Sequence, residues 1–269
     1  MRLALYAHYS GSGGVALYVP HLLREIHKLG FRICFISNSP IPQSSEPELR
    51  EYCEKIIERD NTGYDFAMWQ QALAEYDLEQ FEELLLINSS IVGPFYPLEP
   101  LWGRAAASEC DFWGMTDNDD LGLHLQSYFL VFRRQVLQHP CFQTFWRSVL
   151  PYRHKQTVIG SYEIGLTKWL EQHGFKWISL FPQEVIHEIY LNRLTVFEKI
   201  RYRIRPVGLP QNTTILLPDL LAESGMPFLK LGILRGEGEM QSRIDRALRL
   251  LEVSNFPADV LNELRMKAG

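Results

Sequence analysis

Small polar residues follow a buried apolar run in the middle of the chain, and together they have the chemistry of a ligand site. The run Leu84–Ile87 has no polar alternation, which predicts a strand buried on both faces of a sheet. Asn88, Ser89 and Ser90 follow it directly, and Gly93-Pro94 then prevents a simple continuation of the strand. Open α/β sheets bind ligands at the carboxyl ends of their strands. We therefore expect Asn88 and Ser90 to line a ligand site.

Acids, amides and a histidine recur in four more clusters on either side of that strand. They are Asn61-Thr-Gly-Tyr-Asp65, Asp111-Phe-Trp-Gly114, His124-Leu-Gln-Ser-Tyr-Phe129 and Ser161-Tyr-Glu-Ile-Gly165. Carboxylates such as those in these clusters can accept a proton from a reacting group in general base catalysis. Glu163 is our candidate for this base, and Asp111 or an aspartate of the 117–120 loop would be its replacement.

The environment of Glu163 pulls its pKa in two directions. The periodicity predicts a helix over 161–173, with Glu163 in its first turn. There the helix dipole favours the ionised form, whereas partial burial disfavours it. The sequence does not decide which effect is larger.

Each candidate also has a purely structural interpretation. Asp65 and Glu163 could be acids that stabilise helix starts, and Asn88 and Ser90 could only cap the turn after the strand. His124 could be a partly buried histidine whose hydrogen bonds are satisfied inside the fold.

Strands and helices alternate through the first two thirds of the chain. A strand at Leu3–Ala7, a helical stripe at Val15–Leu29 and a strand at Phe31–Ile36 begin a strand–helix–strand series. This order predicts an α/β fold with a mostly parallel, Rossmann-type sheet flanked by helices. We expect one domain over residues 1–181. Residues 182–269 would be a helical C-terminal extension that packs on it.

Composition excludes several classes of protein. The 269 residues carry a net charge of −5, which disfavours a general role in nucleic-acid binding. The four cysteines form no CxxC pair, so we expect reduced thiols in a cytoplasmic protein rather than a zinc site. No apolar run approaches the length of a membrane span. If the protein works at a membrane, we expect it to lie on the surface.

The glycine-rich turn after the first strand offers an alternative function. Gly11, Gly13 and Ala16 fit the G-x-G-x-x-A spacing of dinucleotide-binding proteins. That fingerprint also needs an acid at the end of the second strand, where this chain has Ser37-Asn-Ser39. The turn also resembles the first loop of two-domain GT-B glycosyltransferases, but residues after 150 offer no second strand–helix series. An NAD-dependent oxidoreductase therefore stays as a rival, to be tested by NAD titration.

Taken in order, these clusters resemble the rhamnan synthesis protein F family. The resemblance covers most of residues 3–181, with a similar tail at Pro227-Phe-Leu-Lys230 and Asn255-Phe-Pro-Ala-Asp259. The matching pieces are His8-Tyr9 with the following Gly-Val and Tyr-Val, Asn61-x-Gly-Tyr-Asp-Phe66, Leu86-Ile-Asn-x-Ser-x-x-Gly-Pro94, Asp111-Phe-Trp-Gly114, His124-x-Gln-Ser-Tyr-Phe129 and Tyr162-Glu-x-x-Leu-Thr167. The order also looks like that of inverting GT-A glycosyltransferases.

The resemblance implies a GT-A-like, inverting glycosyltransferase with a nucleotide-sugar donor and a glycan or lipid-linked glycan acceptor. The expected transfer is of a deoxysugar, L-rhamnose from dTDP-rhamnose, to a bacterial surface polysaccharide or lipopolysaccharide. The expected catalytic residues are Glu163, Asp111 and His124. The expected donor-binding residues are His8, Tyr9, Asn61, Asp65, Asn88, Ser90, Gln126 and Lys230.

Two departures from the family pattern bear on the chemistry. The family usually has Asn-Asp-Ser where this chain has Asn88-Ser-Ser90, and often has an Asp where this chain has Ser10. Mg²⁺ or Mn²⁺ at a diphosphate prefers carboxylate ligands, so either another acid holds the metal or cations and amides hold the diphosphate. The acids would be Asp65, Asp111 or the 117–120 loop, and the cations Arg133, Arg134, Lys230 or the basic stretch 193–205. The departures also support a rival, a scaffold of the same fold that binds nucleotide-sugar without turnover.

The basic stretch 193–205 has five cationic residues interleaved with apolar ones. It is either a solvated helix face or a patch that meets phosphate or an anionic membrane surface. Peripheral association with the inner face of the cytoplasmic membrane is therefore a further expectation.

Overall fold

The computed structural model describes residues 1–11, 13–204, 212–234, 239–252 and 256–262. The side chains of 201–204, 239 and 251–252 are outside that description. Ser12 of the glycine turn, Arg205 of the basic stretch and Asn255 of the tail motif also lie outside the described residues. Within the described part of the chain, no helix is long and apolar enough to cross a membrane.

A mostly parallel sheet of eight strands forms the centre, as predicted. Its order is β3-β2-β1-β4-β8-β6-β7, with β9 paired to β6. β8 is antiparallel to both β4 and β6, so β6 runs in the direction of β1 to β4. The eight strands are β1 (Arg2–His8), β2 (Phe31–Ser37), β3 (Cys53–Glu58), β4 (Glu83–Asn88), β6 (Phe112–Asn118), β7 (His124–Leu125), β8 (Phe129–Arg133) and β9 (Trp177–Phe181). Two further strands, β5 (Ile91–Val92) and β10 (Leu229–Lys230), pair with each other in a separate sheet.

Helices cover both faces of this sheet. They are α1 (Tyr18–Lys28), α2 (Glu46–Tyr52), α3 (Tyr64–Leu73), α4 (Glu99–Ala106), α5 (Arg134–Leu137), α6 (Pro140–Arg147), α7 (Lys155–Val158), α8 (Ile164–Gln172), α9 (Gln183–Arg193), α10 (Val196–Ile204), α11 (Thr213–Leu216), α12 (Pro218–Glu223) and α13 (Glu239–Glu252). Short 3₁₀ turns span Leu78–Gln80 and Leu231–Ile233, and a π-helical turn spans Ile159–Glu163.

Two hydrophobic layers follow from the alternation of side chains along the strands. In β1, Ala4 and Tyr6 point to one layer, whereas Leu3, Leu5 and Ala7 point to the other. The first layer includes apolar residues of α1, α4, α12 and α13, and the second includes those of α3, α6 and α8. Because both faces are covered, the strands carry the continuous apolar runs seen in the sequence.

Strand β6 is longer than the sequence predicted. We expected residues 117–120 to form a loop, but β6 continues to Asn118 and all its residues are buried. Asp117 pairs with Leu125 and Asn118 with His124 in the short antiparallel strand β7. The polar composition concealed this pairing, because it is the backbone hydrogen bonds to β7 that continue the strand.

The segment containing β10 returns to the end of β4. Leu229 pairs with Val92 and Lys230 with Ile91, which brings Lys230 close to Ser90. Gly93 makes this approach possible, because a Cβ at that position would lie 2.3 Å from the carbonyl oxygen of Pro227. The ladder holds only two residues of each strand, because a 3₁₀ turn begins at Leu231.

Candidate functional site

The carboxyl ends of β1, β2, β3, β4 and β6 meet along one edge of the sheet, because these strands run in the same direction. We call this the carboxyl edge. Polar side chains leave the sheet there from every one of these strands. Such an edge is where open α/β sheets bind their ligands.

A chain of hydrogen bonds links Asp65, Asn88 and Ser90 at the carboxyl edge. The Nδ2 atom of Asn88 donates to Oδ2 of Asp65 at 2.6 Å. The Oδ1 atom of Asn88 accepts from the backbone N–H of Ser90 at 3.0 Å and from its hydroxyl at 2.5 Å. Asn88 therefore does cap the turn after β4, and at the same time it joins that turn to the start of α3.

A left-handed turn places Asp65 opposite Asn88. Gly63 has φ of +77° and Tyr64 has φ of +55°, immediately before Asp65 in the first turn of α3. A Cβ on Gly63 would lie 2.5 Å from the Cβ of Ala67 and 2.7 Å from the Cα of Pro151. Only glycine fits there, both for its φ and for this close packing.

Lys230 lies close to the hydrogen-bonded residues Asp65, Asn88 and Ser90. Its Nζ atom is 3.5 Å from the hydroxyl of Ser90 and 4.2 Å from the centre of the Tyr128 ring. Burial lowers the pKa of Lys230 to about 8, against the opposing attraction of the Glu163 and Asp65 carboxylates. At neutral pH the ammonium is still the major form, so the site contains a partly desolvated cation.

The pKa of the Asp65 carboxyl group is raised, whereas that of Lys230 is lowered. Burial raises its pKa to about 6, although the hydrogen bond from Asn88 and the charge of Lys230 oppose the rise. Asp65 is therefore mostly ionised at neutral pH and becomes neutral just below it.

Glu163 is held by hydrogen bonds from Ser127, two residues after β7. Its Oε2 atom accepts from the backbone N–H of Ser127 at 3.0 Å and from the Ser127 hydroxyl. Its Oε1 atom lies 3.6 Å from Nε2 of His124. Burial raises the pKa of Glu163, but the nearby His124 ring and the hydrogen bonds from Ser127 outweigh burial and bring that pKa below its usual value.

The hydrogen bond of its Nδ1 atom fixes the orientation of the His124 ring. Its Nδ1 atom donates to the carbonyl oxygen of Gly122 at 2.7 Å, so Nε2 faces Glu163. Burial lowers the pKa of His124, but the Glu163 carboxylate and the Gly122 carbonyl outweigh burial and raise it overall. The pair therefore favours an ionised Glu163 next to a protonated His124.

The predicted position of Glu163 in the first turn of a helix is wrong. α7, the π-helical turn Ile159–Glu163 and α8 form one helical stretch, and Glu163 lies inside it. The dipole of a helix start therefore does not act on its carboxylate. The π-turn inserts extra backbone at this point, a feature that often occurs at functional sites.

Gln126 belongs to a buried network behind Lys230. Its Oε1 atom accepts from the Thr116 hydroxyl at 2.7 Å, and that hydroxyl also lies 2.7 Å from the Tyr128 hydroxyl. Its Nε2 atom donates to Asn212 at 3.5 Å. Gln126 thus ties β6 to the segment before α11, and its polar atoms are already hydrogen-bonded within the protein.

His8 and Tyr9 occupy very different environments at the end of β1. His8 is buried, and its Nδ1 lies 2.8 Å from the hydroxyl of Ser37, which itself donates to the carbonyl oxygen of Ser39. Burial lowers the pKa of His8 to about 4. Tyr9 is 52% exposed, and its backbone exchanges two hydrogen bonds with the Ser89 side chain.

Asn61 lies on the rim of an open cavity of about 720 Å³. This cavity is at the carboxyl ends of β2 and β3, beyond the site formed by Asp65 and Asn88. Its wall includes Ser39, Glu58 and Arg59. Asn61 accepts a weak hydrogen bond of 3.4 Å from Asn38.

The structure does not bring Asp111 to the other candidates. Asp111 precedes β6, so it lies at the amino edge of the sheet, about a strand length from Asn88. Its carboxylate accepts hydrogen bonds from Gln135 at 2.7 Å and from the Lys176 backbone at 2.6 Å. The prediction of a catalytic Asp111 is therefore corrected: this carboxylate ties β6 to its neighbours.

Three contributors were not among the predicted site residues. Ser127 holds Glu163, Ser37 holds His8, and Lys155 acts electrostatically on both Asp65 and Lys230. Ser127 lies inside the cluster that contains His124 and Gln126, so that cluster was a signal for it. Nothing in the sequence singled out Lys155, since only the fold brings α7 close to α3 and β10.

The residues at the end of β4 do not fit a divalent cation site. Asn88, Ser89 and Ser90 provide only neutral oxygens, and Oδ2 of Asp65 already accepts from Asn88. Across the described ranges, no group of three or more His, Cys, Asp or Glu side chains could hold a metal ion.

Comparison with known proteins adds family information. A family model described as "Rhamnan synthesis protein F" matches residues 33–200. The chain is 31% identical over 205 residues to "Uncharacterized protein y4gN" of Sinorhizobium fredii, covering 73% of this chain and 52% of that relative. It is 26% identical over 220 residues to "Virulence protein VirA" of Vibrio anguillarum, covering 76% and 71%. The chain thus spans about half the length of the first of these relatives.

Two solved structures were also found to be similar. One is the glycosyltransferase GlyE of Streptococcus pneumoniae TIGR4, with a TM-score of 0.45, 13% identity and coverage of 99% of this chain and 64% of that one. The other is S. aureus TarS 1-349, with a TM-score of 0.44, 13% identity and coverage of 100% and 88%.

Proposed function

The chain belongs to the rhamnan synthesis protein F family, and on that premise we propose that it is an inverting glycosyltransferase that uses a nucleotide-sugar donor. The observation that carries this proposal is the position of Lys230 between two acids at the carboxyl edge. A partly desolvated ammonium suits the diphosphate of a nucleotide-sugar, because a cation is strongest where water is excluded. An ionised carboxylate, Glu163, is close enough to act electrostatically on that ammonium.

Each residue has a defined task in the proposed reaction. The acceptor hydroxyl attacks the anomeric carbon, the bond from that carbon to the diphosphate oxygen breaks, and Glu163 takes the hydroxyl proton. The electron pair of the broken bond leaves with the nucleoside diphosphate, where Lys230 stabilises the added negative charge. His124 and Ser127 hold Glu163 in its ionised form before the proton arrives.

The donor would lie along the carboxyl edge. Asp65, Asn88 and Ser90 would contact the sugar and diphosphate, and the open cavity beside Asn61 would accept the nucleoside. His8 and Gln126 would support the residues that contact the donor, since both are buried and hydrogen-bonded within the fold. No step of this reaction requires a metal ion.

The family suggests the finer identity of donor and acceptor. We propose L-rhamnose from dTDP-rhamnose as the donor and a bacterial surface polysaccharide or lipopolysaccharide as the acceptor. Residues 182–269 would form the acceptor side of the site as an extension of the catalytic domain 1–181.

A second candidate is a scaffold that binds nucleotide-sugar without transferring it. The observation in its favour is the missing carboxylate at the end of β4, where the Ser89 side chain bonds only to the backbone of Tyr9 among its described contacts. Such a protein would bind the donor as well as an enzyme does, and only turnover separates the two.

A thermal-shift panel followed by a turnover assay tests the proposal. We expect dTDP-rhamnose to raise the unfolding temperature by ~5 °C or more at saturating concentration, because it binds only the folded state. Slow donor hydrolysis, or transfer to a glycan, would then identify an enzyme. Binding without turnover would favour the scaffold, and stabilisation by NAD instead of nucleotide-sugars would contradict both.

The exposed face of α10 supports peripheral membrane association at the inner face of the cytoplasmic membrane. Val196 and Phe197 are 71% and 85% exposed, and Ile200 and Lys199 are exposed beside them. Apolar side chains among cations suit an anionic lipid surface. Vesicles with anionic lipid should therefore sediment the protein, and Phe197→Ser should weaken this while Ile215→Ser does not. Equal sedimentation with neutral vesicles would show that the cationic side chains do not contribute to membrane binding.

A further inference from the structure

A second cavity of about 620 Å³ lies at the carboxyl end of β6, and its wall is acidic. Asp117 and Asp119 contribute from β6 and the loop after it, and Glu184 and Glu188 contribute from α9. We call this cavity the acidic pocket. The reaction described above does not use any of these residues.

The pocket is built by the contact between β6 and the start of α9. The backbone N–H of Gln183 donates to Oδ1 of Asp117 at 2.6 Å, which fixes the first turn of α9 against the end of the strand. Glu184 and Glu188 are four residues apart, so they project from one face of the helix. Both are exposed to the cavity side of the surface, whereas Asp117 is buried at its base.

A buried acceptor in the wall has no donor within the described part of the protein. The side chain of Gln183 is only 8% exposed, and its Oε1 atom has no hydrogen-bond partner among the described residues. Gln183 also lines the acidic pocket. A buried carbonyl without a donor is costly, so a hydroxyl that reaches this atom from the pocket would satisfy it.

The chemistry of the wall restricts the ligand. The four carboxylates and the Gln183 amide oxygen are acceptors, whereas His187 and Asn192 also line the pocket and can donate. The ligand must therefore present several donors, and it can accept hydrogen bonds as well. An anionic ligand would be repelled by the four acids. Among the described residues no group of three or more His, Cys, Asp or Glu side chains could hold a metal ion, so the four acids do not form such a cluster. A saccharide without acidic groups fits, because each hydroxyl donates a hydrogen bond.

The pocket is adjacent to the proposed catalytic pair. Leu123 lines the pocket and is 50% exposed, which offers an apolar surface to the C–H face of a sugar ring. The next residue is His124, whose ring faces Glu163. A glycan of a few residues could therefore occupy the pocket while its reacting end lies near Glu163.

We propose that the acidic pocket binds the glycan acceptor through a saccharide portion that is neutral or amino-bearing and has no acidic group. This inference rests on the proposed function, because it identifies the class of acceptor for that reaction. It predicts that chains of uronic acids or sugar phosphates are not acceptors at this position.

Saturation-transfer NMR without donor tests the pocket directly. The probes are methyl glycosides of rhamnose, glucose, glucosamine and glucuronic acid, and a neutral rhamnose disaccharide. We expect signals from the neutral and amino sugars, strongest for the disaccharide, and none from the glucuronide. Strong binding of the glucuronide, or no binding by any probe up to millimolar concentration, would overturn the proposal.

Substitutions in the wall of the acidic pocket show whether the sugars bind there. Glu188→Gln and Gln183→Leu should each weaken disaccharide binding by about three- to tenfold, the worth of one hydrogen bond. Glu51→Gln, which removes an exposed carboxylate of α2 far from the pocket, is the matched control and should bind normally. Gln183 is buried, so if Gln183→Leu fails to fold, the exposed positions Glu184 and Glu188 still decide the outcome.

These experiments distinguish a failure of the acidic-pocket proposal from a failure of the proposed transferase function. Disaccharide binding that responds to Glu188→Gln, without any binding of nucleotide-sugar, would keep the pocket and contradict the transferase. In an active protein, Glu188→Gln should raise KM for the acceptor and leave KM for the donor unchanged. Unchanged binding in Glu184→Gln, Glu188→Gln and Gln183→Leu would place the sugars elsewhere and overturn the inference.

Discussion

The side-chain amide of Asn88 donates a 2.6 Å hydrogen bond to the carboxylate of Asp65, which joins the end of β4 to the start of α3. This bond also sets the orientation of the amide, so that its oxygen accepts from Ser90. Two elements that meet at the carboxyl edge are therefore fixed by one residue pair. A change in either residue should disturb the other before it disturbs the sheet.

Asp65→Ala should abolish binding of nucleotide-sugar while the protein stays folded. The ionised carboxylate would be lost, and with it an acceptor for donor hydroxyls and the partner of Asn88. Asp65→Asn is the matched variant, because it keeps the shape and an oxygen for Asn88 but not the charge. Calorimetric titration with dTDP-rhamnose, next to a thermal melt, measures both effects. An Asp65→Ala protein that binds the donor normally would reduce Asp65 to a helix-start residue.

Glu163→Gln should lower turnover by ~10²–10⁴-fold, the usual worth of general acid–base catalysis. The amide keeps the size of the side chain and can still accept from Ser127, but it cannot take a proton. Donor affinity should stay nearly constant, since binding precedes proton transfer. Steady-state rates and donor titration separate the two quantities.

Asp111→Asn is the control for that experiment, because it removes a carboxylate at the opposite edge of the sheet. It should keep most of the turnover. If Glu163→Gln were active and Asp111→Asn were not, the base would have to be reassigned despite the distance.

Donor affinity should decrease as pH rises through about 8. The protonated form of Lys230 binds the diphosphate, and its pKa of about 8 in the free protein means that the ammonium is lost above this pH. Affinity should fall by up to about tenfold for each pH unit beyond that point. Titrations at pH 7, 8 and 9 measure the slope. Lys230→Arg should flatten it, because arginine keeps its charge, and an unaltered slope in that variant would assign the titration to another group.

Acid should destabilise the fold through His8. Its pKa is about 4 in the folded protein and about 6.5 when unfolded, so between these values the unfolded chain binds the extra proton. Stability is therefore lost as pH falls from 6.5 to 4, by up to about 3 kcal/mol. Urea unfolding of wild type and His8→Gln across this range should show a shallower loss in the variant. His154→Gln, at an exposed histidine, should follow the wild type.

Removal of divalent metal should have a small effect on turnover. The end of β4 has no carboxylate, and Lys230 is available as the counter-charge. We expect EDTA to reduce activity by less than about tenfold, which corresponds to about 1.4 kcal/mol of transition-state stabilisation. Activity that disappears with EDTA and returns with Mn²⁺ would show that another acid has become a metal ligand.

The repetitive features of this fold could be predicted from the sequence, and its long-range contacts could not. The apolar run before Asn88 predicted a central buried strand, because strands covered on both faces need no polar alternation. The position of Glu163 was mispredicted as a helix start, since a π-turn joins α7 to α8 without a break. The loss of regular hydrogen bonding within such a turn leaves no clear periodic signal.

The sequence by itself determined the α/β class, the order of strands and helices, and the polar clusters that end the strands. Each of these depends on neighbours a few residues apart, where side-chain period and turn chemistry act. The tertiary structure decided which clusters meet. It brought Lys230 beside Ser90 through the pairing of β10 with β5, set Glu163 against His124, and left Asp111 at the far edge. Such contacts join residues far apart in the chain, and they follow from strand direction and packing rather than from local composition.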